Sequence, residues 1–95
     1  MHYVVQCLDH ADALPIRLAN YEAHKAYLAG VKINILISGP LIAEDGETMI
    51  GSFFLIESDD RSAVEAFNAE DPFNKAGIWR QVTINRFLKR VDRRS

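Results

Sequence analysis

The sequence predicts an α+β domain of the ferredoxin-like type, a βαββαβ subunit, on three observations. Runs rich in β-branched and aromatic residues alternate with runs of helix formers in that order along the chain. An Asp45-Gly46 pair stands between the second and third apolar runs, the signal of a tight hairpin. The third of these runs includes Phe53, Phe54, Leu55 and Ile56 in succession, so a strand there is apolar on both sides and both faces of its sheet need cover.

Taken in order, Tyr3 to Leu8 ("YVVQCL") reads as a first strand, interior to the sheet, ending at the polar cluster around Asp9, His10 and Asp12. Pro15 to Ala29 is dense in helix formers, opens on a proline tolerated in a first turn and is followed by Gly30 as a stop. Lys32 to Leu41 is a second strand closed by Gly39-Pro40, and Thr48 to Ser58 is a third. Ser58, Asp59 and Asp60 offer caps for a second helix, Ser62 to Glu70, with Ala63, Ala66 and Phe67 on one side. Trp79 to Leu88 alternates Val82 and Ile84 with Gln81, Thr83 and Asn85, which suits a last strand.

This order places both helices on one face of an antiparallel four-stranded sheet. On the second strand Ile33, Ile35 and Ile37 are expected on one side and Leu36 on the other, so the face without helices is also apolar. The same face of a second copy would cover it, which predicts a homodimer packed sheet on sheet; shielding by the C-terminal tail is the alternative.

Ninety-five residues, 48% hydrophobic and 25% charged, fit one domain spanning 1–95. A net charge of -2 argues against a surface built to neutralise phosphates, so nucleic acid is not the expected partner. No apolar run approaches ~20 residues and the first residues lack a secretory pattern, so a cytoplasmic protein without membrane contact is expected. The single cysteine, Cys7, lies inside a strand and reads as a small buried hydrophobe. His2, His10 and His24 share no ligand spacing, so no metal is expected. The basic end, with Arg86, Lys89, Arg90, Arg93 and Arg94, reads as a solvated strand end.

Chemistry is concentrated in few places. Arg17, Tyr21, His24 and Leu28, spaced by 4, 3 and 4, form one stripe of the first helix; Ile16, Ala23 and Tyr27 lie further round toward the core. His24 and Arg17 then sit at the seam between buried and exposed surface. Asp71 precedes Pro72 and can cap a short helical turn, accepting the backbone N–H of Asn74. It can equally hold one ring nitrogen of a histidine, fixing its tautomer and leaving the other nitrogen to take a proton from a substrate. A separation of 47 residues does not say whether His24 and Asp71 meet. Ser38, Gly39 and Pro40 offer a hydroxyl and close backbone approach, although a strand-ending turn accounts for them as well.

Together, a strand ending in Asp9, Arg17 and His24 on one helix, "SGPL" at Ser38 to Leu41, Gly51, and "DPFNKAG" at Asp71 to Gly77 resemble the YciI-like (YCII-related) family over nearly the whole chain. The resemblance implies the dimeric α+β barrel with ferredoxin-like subunits. It implies that His24 and Asp71 line a pocket as the catalytic pair, with Arg17, Ser38, Gly39, Pro40 and Phe73 as substrate-binding or positioning residues. In fold the family is similar to muconolactone isomerases, and dehydrochlorinase-type activity is associated with some members. The hairpin around Asp45-Gly46 is shorter than in other members, which implies a more open pocket. The resulting expectation is an enzyme without cofactors, using His24 and Asp71 for acid–base chemistry of isomerase, lyase or lactone type on a small anionic or phenolic compound. The alternatives are a metabolite-binding or accessory module using the same pocket, and a His24–Asp71 brace that only joins two helices.

Overall fold

A computed structural model describes residues 1–94. The elements are β1 (His2–Asp9), α1 (Leu14–Ala19), α2 (Tyr21–Gly30), β2 (Asn34–Ile42), β3 (Met49–Glu57), α3 (Arg61–Glu70), α4 (Pro72–Lys75) and β4 (Trp79–Phe87). The strands form one antiparallel sheet in the order β2-β3-β1-β4, with β1 interior. This is the split βαβ arrangement expected from the order of elements.

The helices cover one face. From the sheet, Tyr3, Val5, Cys7, Phe54 and Ile56 point into the core, and Val64, Phe67, Phe73 and Ile78 meet them from the helical layer. Their strand alternation follows from the register, in which Tyr3 opposes Ile56, Val5 opposes Phe54 and Cys7 opposes Ser52. Gly51 is required by close approach: a Cβ there would lie 2.3 Å from the carbonyl oxygen of Cys7, a backbone atom that cannot yield. Gly46, at φ 81°, makes the β2–β3 hairpin, and the Asp45 side chain accepts from the backbone N–H groups of Glu47 and Thr48 and from the Thr48 hydroxyl.

Four local expectations are corrected. The single first helix is two, because the Asn20 side chain donates to the carbonyl of Ile16 at 2.9 Å and Asn20 leaves helical geometry. Ile16 and Ala23 consequently face solvent, and only Tyr27 of that trio packs on the core. The second strand does not end at Ser38-Gly39-Pro40 but runs through it, opposite Phe54, Phe53 and Ser52; β2 is an edge strand, where a proline costs no ladder bond. A bulge at Leu36 puts Ile35 and Ile37 on opposite faces rather than together. On α3, capped by Asp60 accepting from Ser62 N–H, the buried side is Val64, Phe67 and Asn68, while Ala63 and Ala66 are exposed.

The face without helices is apolar at its centre. Val4, Leu55 and Ile37 form one cross-strand row there, flanked by Phe53, Leu8 and Leu41. The tail residues Leu88 and Val91 remain 67% and 68% exposed, so they do not shield it.

Candidate functional site

The backbone turn after α3 places Asp71. It ends α3 and caps α4, with Pro72 at the first helical position and the carboxylate accepting from Phe73 N–H at 2.9 Å; the cap bond therefore goes to Phe73 rather than to Asn74. The same oxygen, Oδ1, lies 2.8 Å from Nδ1 of His24 on α2. A carboxylate oxygen only accepts, so the proton of this pair sits on Nδ1 and leaves Nε2 as a bare acceptor in the neutral ring. Asp71 is fully buried and His24 is 8% exposed. Its second oxygen, Oδ2, takes no hydrogen bond among the described residues. One carboxylate oxygen thus makes both contacts, capping a helix and pairing with an imidazole.

Phe73, expected as a substrate contact, is fully buried and stacks on His24 with centroids 3.9 Å apart and planes at 6°. It fixes the plane of the imidazole and does not line the cavity. Phe54 meets the His24 ring edge-on at 6.4 Å. The ring is therefore held by one hydrogen bond and two aromatic contacts, which leaves little rotational freedom.

The second polar feature is built on Arg17 of α1. Its Nε donates to Asp9 Oδ2 at 2.9 Å, and Nη2 donates to Asp9 Oδ1 at 3.3 Å and to Ser52 Oγ at 2.7 Å. The guanidinium carbon also lies 4.7 Å from the centre of the Phe73 ring. Arg17 is 3% exposed, and a cation so buried needs this bidentate partner. Nη1 has no partner among the described residues, and Arg17 and Ser52 both line the same cavity as His24.

That cavity has a volume of about 450 Å³, within the range of small-molecule sites. One wall is helical, with Arg17, Leu18, Tyr21, His24, Lys25 and Leu28; the other is sheet, with Ser38, Gly39, Pro40, Met49, Ser52 and Phe54. The structure therefore brings together Arg17, His24, Ser38, Gly39 and Pro40 at one opening, sets Asp71 behind His24, and leaves Phe73 beneath it. Asp9, Ser52 and Lys25 carry no site role in the sequence reading. The available signal for Ser52 was a lone hydroxyl at an inward position of a strand otherwise occupied by Phe54 and Ile56. Cys7 is buried, accepts from Asn68 Nδ2 at 3.6 Å and has its thiol pKa pushed up to about 12 by burial, so it is not a nucleophile. Among the described residues, no three His, Cys, Asp or Glu side chains converge as a metal site. Among those residues, likewise, no helix is long and apolar enough to cross a membrane.

A ferredoxin-like α+β domain with a buried imidazole–carboxylate pair at the wall of a small-molecule cavity is the class these features define. The chain belongs to the YCII-related domain family, whose sequence model matches residues 1–88. It is 31% identical over 96 residues to protein YciI of Escherichia coli O6:H1, covering 94% of this chain and 98% of that one. Among solved structures it is similar to 5-chloro-2-hydroxyhydroquinone dehydrochlorinase (TftG) from Burkholderia phenoliruptrix AC1100, in complex with 2,5-dihydroxybenzoquinone. That match has a TM-score of 0.86 and 33% identity, over 93% of this chain and 94% of that one. A NIPSNAP domain protein from Burkholderia xenovorans shares the fold, with a TM-score of 0.56 at 13% identity over 99% of this chain and 98% of that one.

Proposed function

We propose that the cavity is the active site of an enzyme acting on a small hydroxylated ring compound or a related anion, with His24 as general base and Asp71 as the residue that orients it. The observation that carries this reading is the 2.8 Å contact of Nδ1 with a fully buried carboxylate, which turns the other ring nitrogen into the proton acceptor at a cavity wall. In the proposed step, Nε2 takes the proton of a ring hydroxyl or of a carbon next to a carbonyl. The electron pair left behind moves into the ring or onto the carbonyl oxygen, where Arg17 Nη1 and the Ser52 hydroxyl stabilise the charge. Loss of a leaving group completes an elimination; return of the proton elsewhere completes an isomerisation. The protonated imidazole is balanced by Asp71 throughout. Proton transfer of this kind calls for no electron carrier. Likeness to a dehydrochlorinase with a bound dihydroxyquinone supports elimination from a hydroxylated ring over lactone chemistry. Ser38, Gly39 and Pro40 form the wall against which the ring lies in this reading.

The same reading includes a homodimer in the cytoplasm, of one domain per chain, with the apolar row Val4, Leu55 and Ile37 of each copy packed together. The test is incubation of substituted hydroquinones and hydroxybenzoates with wild type and with His24→Gln, followed by product analysis. Transformation by wild type, lost in the variant, is expected. Compounds that bind at His24 yet are recovered unchanged would make the protein a binding module instead.

A further inference from the structure

The cavity has a lip as well as a floor. Tyr21 and Leu28 share the helical stripe of His24, and Lys25 of α2 and Leu18 of α1 join them along the rim of the cavity. Leu18 and Tyr21 are 56% and 42% exposed, so this rim stands at the mouth rather than in the core. The charges along the cavity are of one sign only. The chain carries 13 acidic residues against 11 basic ones, yet Arg17 and Lys25 line the cavity and no acidic residue does. The two cations are in different states. Arg17 is locked by Asp9 and Ser52. Lys25 sits over the Tyr21 ring at 4.9 Å and, among the described residues, pairs only with Glu22, at 3.4 Å, a residue whose own side chain is 85% exposed. An ion pair so exposed holds its ammonium weakly, and an incoming carboxylate can replace Glu22 at little desolvation cost.

We propose that Lys25 is a specificity residue, binding an acidic group of the substrate remote from the reacting hydroxyl, so that the preferred ligand is a hydroxylated ring bearing a carboxylate on a short arm. This rests on the active-site reading above and names its substrate class. The ring lies on the floor against His24 and Arg17, the arm passes Tyr21 and Leu18, and the carboxylate meets the ammonium at the lip. A cavity of about 450 Å³ holds more than one bare ring, which leaves room for the arm.

The experiment compares hydroquinone with its carboxymethyl derivative by titration calorimetry, on wild type, Lys25→Met and Lys25→Arg, with product analysis on the same samples. Wild type is expected to bind the acid about threefold to fivefold more tightly than the neutral compound, the size of a solvent-accessible ion pair. That preference should vanish in Lys25→Met, survive in Lys25→Arg, and shrink as salt is raised. A wild type without the preference, binding neither compound included, or a Lys25→Met protein that keeps it, overturns the proposal. A Lys25-dependent preference without any turnover leaves the ligand class standing and removes the enzymatic reading; turnover without the preference does the reverse.

Discussion

Replacing Asp71 separates its two jobs. In Asp71→Asn the amide oxygen can occupy the Oδ1 position and still accept from both His24 Nδ1 and Phe73 N–H, now at 2.8 and 2.9 Å. The amide nitrogen falls at Oδ2, which already has no partner, so one unmatched buried polar group replaces another. Stability should change by no more than about 1 kcal/mol. The charge that balances a protonated imidazole is gone, however, and turnover should fall by about 10²- to 10⁴-fold, the range spanned by acid–base groups. Asp71→Ala removes the oxygen altogether. It loses a helix cap worth about 1 kcal/mol and strands a buried Nδ1–H at a cost of about 1 to 3 kcal/mol, for a total of about 2 to 4 kcal/mol. Urea unfolding followed by fluorescence of Trp79, alongside turnover of whichever compound the product screen identifies, measures both quantities. An Asn variant as active as wild type would refute the dyad. An Ala variant as stable as wild type would refute the cap and the buried bond.

Two further predictions concern the rest of the molecule. Cys7 has its folded pKa raised by burial from 9.0 to about 12, so above pH 9 the unfolded thiol loses a proton that the folded one keeps, and stability should fall as pH rises from 9 toward 12. The slope should approach about 1.4 kcal/mol per pH unit from this group, and Cys7→Ala should flatten it; an unchanged alkaline slope in that variant would count against burial as its cause. Ile37→Arg places a charge in the apolar row of the open sheet face; the proposed homodimer predicts that wild type sediments as a dimer and this variant as a monomer at the same concentration. A variant that sediments like wild type would move the interface elsewhere.

What the sequence revealed follows the range over which each signal acts. Asp45-Gly46, the cap at Asp60, the Asp71-Pro72 turn and the order of elements are set by neighbours within a few residues, and all are found in place. The break at Asn20 is also local, but it turns on one side chain choosing the Ile16 carbonyl over solvent, a balance that helix propensity does not record. The bulge at Leu36 is decided by the partner strand, since only the register against Ile56 and Leu55 reveals the extra residue. On α3 the sequence put Ala63 and Ala66 on the side of Phe67, and the larger Val64 took the core face instead while both alanines stayed exposed. The site divides in the same way. His24 and Arg17 were visible as one helical stripe, and Asp71 as a carboxylate in a turn. Their meeting across 47 residues, the Asp9–Arg17–Ser52 linkage and the stacking of Phe73 under His24 exist only once the helices lie on the sheet.

The claim on which the proposed chemistry depends is the protonation state of one ring, and nitrogen-detected NMR of selectively labelled histidine reads it directly. At a pH where the ring is neutral, the expected result for His24 is a protonated Nδ1, bonded to Asp71, and an unprotonated Nε2 whose shift moves when a hydroxylated ring compound is added. A His24 with its proton on Nε2, or with an Nε2 shift indifferent to every such ligand, would contradict the account.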